Sequence, residues 1–128
     1  RAPVMAVAAG VAPGRRGRDA GRQLTLGCSA LLQLEGSGLY VIVNSLREQL
    51  CDPIMIEMFG LDINDLRVVV LKSRGHFRAG FDEFFPDDCI FELDTPGMTS
   101  NVLRNFEFKG VPRPFYPLDP ETVWELPV

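Results

Sequence analysis

Two apolar runs separated by the tetrapeptide Glu35-Gly36-Ser37-Gly38 set the tightest constraint on the fold. The flanking stretches, SALLQL at 29–34 and LYVIVN at 39–44, carry strand-forming residues, and a short glycine-rich link leaves them little choice but to pair antiparallel. A β-hairpin is therefore expected there. Upstream, PVMAVAA at 3–9 is apolar enough for a first strand, whereas GVAPGRRGRDAGRQ at 10–23 is dense in Gly, Pro and Arg and reads as a loop.

Downstream, Asp52-Pro53 has the form of a helix cap followed by proline at the first helical position, and Gly60 supplies a stop. LRVVVL at 66–71 is β-branched with little alternation, which predicts a strand covered on both faces, as in a parallel sheet. Ser73 then caps a helix over 75–85, with Phe77, Phe81 and Phe84 or Phe85 turned to the core, and Pro86 ends it. CIFELD at 89–94 reads as the next strand, so 66–94 has the order of a right-handed βαβ crossover. A turn and a short helix beginning near Thr99 or Ser100 follow. Prolines at 112, 114, 117, 120 and 127 predict an extended tail.

These elements predict one α/β domain over 1–128, built on a mixed sheet with a hairpin and a βαβ crossover. An N-terminal strand and basic loop occupy 1–22, and a proline-rich extended tail occupies 110–128. Its 128 residues, 46% of them hydrophobic, suffice for one core. The first residue is Arg, as expected of a piece of something longer.

Thirteen basic against seventeen acidic residues give a net charge of −4, which offers no support for general nucleic-acid binding. The charges are unevenly placed. Residues 1–22 hold five arginines against Asp19, and 82–94 hold six acids and no base. Three cysteines without close pairing argue against a disulfide framework or a thiolate zinc site and point to a reducing, cytoplasmic setting. No apolar run reaches the roughly 20 residues of a membrane span, so no membrane partner is expected.

In an open α/β sheet ligands gather beyond the carboxyl ends of the strands. Three such ends are polar here: Asn44, Ser45 and Arg47; Lys72, Ser73, Arg74 and His76, followed by Arg78; and Asp94 and Thr95 before Pro96-Gly97. A helix starting near Gly75 would add free N–H groups favourable to a carboxylate or phosphate. The expected substrate-binding set is Asn44, Ser45, Lys72, Ser73, His76, Arg78, Asp94 and Thr95. Each also has a plainer role: Ser73 as a helix cap, His76 as a surface side chain, Arg78 paired with Asp82 at i,i+4, and Asp94 bonded to the turn that follows it. A single histidine cannot build a multi-histidine zinc site, and no nucleophile elbow or phosphate loop is present. No catalytic or metal-ligating residue is expected in this chain.

VVVLKSRGHFRAGFDEFFP, followed by FELDTPGMTSNVL and RPFYPLD, resembles the C-terminal domain of the MlrC family, the microcystinase-C-like metallopeptidases of bacteria. The K-S-x-x-H-F-R-A run and the later R-P-x-x-P-L-D are its most specific parts. The resemblance implies a separate N-terminal domain that carries zinc ligands absent here, and hydrolysis of peptide or amide bonds by a zinc-activated water. No cofactor is then expected on this chain itself. Lys72, Ser73, His76, Phe77, Arg78 and Ala79 are the residues that match the motif, and some would face a metal-bearing cleft in the intact enzyme. The implied partners are that N-terminal domain and a peptide-like or anionic small substrate. A different reading makes the domain a structural or oligomerisation module, as in a homo-oligomer, whose motif only shapes a turn and a helix.

Overall fold

The computed structural model describes residues 1–95, 100 and 102–125. They fall into two compact units, Arg1–Ile90 and Phe91–Val128.

The predicted hairpin organises the first unit. Strands β4 (Ser29–Gln33) and β5 (Tyr40–Asn44) pair antiparallel, with Leu31 opposite Ile42. The turn closes through Leu34 N–H to Leu39 O at 2.9 Å, with Gly36 at φ +72°, a conformation that glycine adopts without strain. Strand β1 (Val4–Ala8) pairs antiparallel with β4, so the sheet order is β1-β4-β5.

The stretch expected as a loop contains more order than its composition suggests. Strand β2 (Val11–Pro13) pairs antiparallel with β3 (Gln23–Thr25), and a 3-10 turn, Gly17–Asp19, lies between them. Two glycines let this ribbon leave the sheet. Gly10, at φ +65°, lies so close to Gly27 that a Cβ would sit 2.0 Å from the Gly27 carbonyl oxygen, and Leu26 N–H donates to Gly10 O at 2.6 Å.

Helix α1 (Ile54–Glu57) is a single turn, begun at Asp52-Pro53 and stopped at Gly60, as the sequence indicates. It separates two apolar clusters. Met55 packs with Leu24 and Leu26 beneath the β2–β3 ribbon. Ile56 packs with Ile63 and Phe81, joined by Ile42, Val69, Leu71, Phe77, Phe84 and Phe85. Helix α2 (Arg78–Phe81) is also one turn, shorter than the predicted 75–85, but its aromatic face points to the core as expected.

The βαβ crossover is not present among the described residues. Segments 66–71 and 89–94 join neither sheet, and both sheets are antiparallel. β-Branched composition favours an extended backbone, but a strand also needs a neighbouring edge. Val69 and Leu71 turn inward while Val68 and Val70 stand 74% and 88% exposed. Cys89 is instead taken into a 3-10 turn, Asp87–Cys89. What remains is a mixed α and β fold with antiparallel sheets and short helices.

The second unit is held by polar contacts. Asp94 accepts from Ser100 Oγ at 2.7 Å and from Asn105 Nδ2 at 2.6 Å, beside a 3-10 turn, Leu103–Asn105. The start expected near Thr99, and Pro96-Gly97, lie outside the described residues. Over 110–125 the tail is not extended: the Arg113 guanidinium pairs with the Asp119 carboxylate, which also accepts Phe115 N–H at 2.7 Å. Those two contacts, the Arg113 bond first, hold the Asp119 carboxyl down at about 2. A charge pair six residues apart closes the proline-rich segment on itself.

The fully buried Asp52 carboxylate accepts three backbone N–H groups: Arg15 at 2.6 Å and Arg16 at 2.7 Å on one oxygen, and Ile54 at 2.9 Å on the other. Asp52→Ala orphans all three donors and is expected to cost at least about 3 kcal/mol in urea unfolding. Asp62→Ala, which removes an exposed acceptor of Asn64 N–H, is expected to cost about 1 kcal/mol. Equal losses would show that Asp52 is only another cap.

Candidate functional site

The segment Lys72-Ser73-Arg74-Gly75-His76 leaves the core at Leu71 and returns to it at Phe77, both packed in the Ile56 cluster. Lys72, Arg74 and His76 are exposed, and their side chains have no hydrogen-bond or ion-pair partner among the described residues. Ser73 is turned inward. Its hydroxyl accepts from Gln49 Nε2 at 2.7 Å and lies 3.9 Å from the Cys51 sulfur. Arg18 Nη1 donates to the Gln49 carbonyl oxygen at 3.3 Å and orients the amide. Ser73 is thus not the helix cap that its position suggests; it fastens the basic segment to the 49–51 strap.

Arg78 is also committed, though not to Asp82. Its guanidinium meets Asp87 at 3.0 Å and lies 5.5 Å from the centre of the Phe77 ring. Asp82 pairs instead with Arg16 at 2.5 Å. The Ala79-Gly80 pair explains the small residues of the motif. A Cβ on Gly80 would sit 2.0 Å from the Cys51 carbonyl oxygen, and one on Gly17, at φ +60°, would sit 2.9 Å from Gly80 N. Helix α2 is therefore wedged between the 17–19 turn and Cys51. At one turn it sums few peptide dipoles, and the anion-attracting helix end expected near Gly75 loses its basis.

Asn44 and Ser45 lie at the end of β5, where Asn44 is opposite Ser29 and Ser45 N–H donates to Cys28 O at 2.9 Å. Asn44 Oδ1 is buried without a partner among the described residues. No hydrogen bond joins this pair to the 72–76 segment among those residues. Asp94 and Thr95 belong to the second unit, where Asp94 is occupied by Ser100 and Asn105 and Thr95 is exposed.

The arginine-rich loop is a structural strap. Arg15 meets Glu57 at 2.7 Å and Glu83 at 2.5 Å, and Glu83 followed by Glu57 holds its guanidinium more firmly protonated than usual. Arg16 meets Asp82 and Glu83, while Arg18 and Arg22 meet the fully buried Asp19. The charge asymmetry of the sequence is thus a pairing between its basic start and the acids of 82–83. Sequence reasoning misses Gln49, the buried role of Asp19 and the grip of Asp52, read only as a helix cap, on the arginine loop, because each acts on a partner whose identity depends on the fold.

Burial pushes the Cys51 thiol up, the opposite of what an activated nucleophile needs. Among the described residues no three His, Cys, Asp or Glu side chains converge to hold a metal ion. No helix among them is long and apolar enough to cross a membrane. The arrangement is a basic, solvent-facing segment held by a half-buried polar clasp.

A family model described as MlrC C-terminus matches residues 1–110. Comparison with curated proteins and with solved structures finds no match.

Gly80→Ala places a methyl group against the Cys51 carbonyl and is expected to destabilise the chain by about 2 kcal/mol, although Ala is favoured over Gly in a helix by about 1 kcal/mol. Gly75→Ala, where a Cβ meets nothing within 4 Å, is expected to be neutral or slightly stabilising in the same thermal melts. A stable Gly80→Ala chain would contradict the wedge.

Proposed function

Because the chain belongs to the MlrC C-terminal family, we propose that it is the C-terminal domain of a zinc-dependent peptidase or amidohydrolase, forming a wall that binds substrate and leaving the metal to another domain. The observation that carries this reading is the set Lys72, Arg74 and His76, exposed and without counter-ions among the described residues, on a segment pinned by Ser73. The basic side chains of the 15–22 loop, by contrast, are neutralised by acids.

The chemistry assigned here is binding and orientation. A substrate carboxylate would be met by the Lys72 ammonium and the His76 imidazole, with Arg78 held back by Asp87 as a rim residue. Asn44, with a buried amide oxygen lacking a partner among the described residues, and Ser45 would add polar contacts at the end of β5. Zinc, which would supply the activated water when bound, has no ligand set among the described residues, and no step is assigned to it on this chain. Holding the substrate in register converts part of the entropy of encounter into rate.

In the full-length protein, Lys72→Ala and His76→Ala are each expected to lower kcat/KM at least about tenfold, as expected for a lost charged contact of roughly 1.5 kcal/mol or more. The loss should fall mainly on KM, and metal content should be unchanged. Kinetics equal to those of the unaltered protein would remove the wall from the mechanism.

A further inference from the structure

The sheet β1-β4-β5 carries an apolar row pattern on the face turned away from the core. One face, carrying Leu31 and Ile42, is turned inward. On the other, pairing aligns Val7, Ala30 and Val43 in one row and Val4, Leu32 and Val41 in the next. The extra residue of the bulge between Val4 and Ala6 keeps Val4 on the same side as Val7. None of the six is polar. Val4 is 58% exposed, Val7 67%, Val41 38% and Val43 50%. An antiparallel sheet with one face in water normally turns polar residues to that side; exposed rows without a polar residue are the pattern of a face that is itself covered.

The dimensions of the face select what covers it. Three strands about 4.8 Å apart and five residues long span about 14 Å by 17 Å, roughly 240 Å². That is about a third of the roughly 800 Å² each partner contributes to a stable interface, so the face is too small to hold a second copy by itself. It fits one α-helix, about 10 Å wide and three turns long, or about 11 residues. With no charge on the face, the covering side of that helix must be apolar too.

We infer that this face is the seat of one amphipathic helix from the N-terminal part of the same full-length protein, packed across β1, β4 and β5. The inference rests on the reading above that the chain is the C-terminal domain of a larger enzyme. It adds the surface by which the two parts are joined. Covered in this way, the sheet becomes the middle of a three-layer arrangement, and the core side that bears Leu71 and Phe77 is held in fixed relation to the N-terminal part.

The test uses the full-length protein and the 128-residue chain, each carrying Val43→Cys, with Val7→Cys as a second variant should the first fail to fold. Site-resolved maleimide labelling read by mass spectrometry separates the new thiol from Cys28 and Cys89, which are exposed. Labelling in the 128-residue chain is expected to be fast and independent of protein concentration. In the full-length protein it is expected to be slowed at least about tenfold, with photo-crosslinks from the same position falling on one helix of the N-terminal part. Equal rates in the two proteins would overturn the inference, as would slowing of the 128-residue chain that grows with concentration, the mark of a second copy. Labelling does not depend on turnover, so the Lys72 and His76 kinetics can fail while this result stands, or the reverse.

Discussion

A carboxylate with no access to water holds the first unit together. Asp52 takes three backbone N–H groups, two from the arginine loop and one from the first turn of α1, segments far apart in sequence. A buried carboxylate is tolerated only when its lone pairs are used, so its cost forces the loop and the helix into one geometry. From that junction Met55 and Ile56 enter opposite clusters, and Arg15 and Arg16 reach the acids at 57, 82 and 83. The position of α2 against Cys51 follows, and the basic segment leads directly into α2.

The family motif reads differently once this frame is in view. Its polar residues divide into those that fasten and those that face outward. Ser73 binds Gln49, Arg78 binds Asp87, and Ala79-Gly80 fit a gap without room for a Cβ. Lys72, Arg74 and His76 face outward, and the proposed reading gives Lys72 and His76 to a ligand. The chain belongs to the MlrC C-terminal family, and under the proposed reading a domain with no metal-ligand set among its described residues would bind and orient what a metal elsewhere acts on.

What could be read from the sequence was what is local in it. The hairpin at 29–44 depends on a turn and the residues beside it, and α1 depends on Asp52-Pro53 and Gly60; both came through. The strands expected at 66–71 and 89–94 needed partners from elsewhere, and β-branched composition could not tell an extended segment with a neighbour from one without. The β2–β3 ribbon was hidden because two three-residue strands amid Gly, Pro and Arg leave no periodic signal. At the site, the cluster Lys72, Ser73, Arg74 and His76 was legible because four of five consecutive residues are polar or charged. The clasp from Gln49, 24 residues away, was not.

The central claim is that Lys72 and His76 face a substrate whose reacting bond is served by a metal held outside this chain. A crystal structure of the full-length protein with its metal and a carboxylate-bearing substrate analogue tests it most directly. The account predicts the Lys72 ammonium and the His76 imidazole within about 3 Å of the analogue's carboxylate, with Ser73 still bonded to Gln49. An analogue bound at the metal with residues 72–76 facing open solvent on another side of the molecule would contradict it.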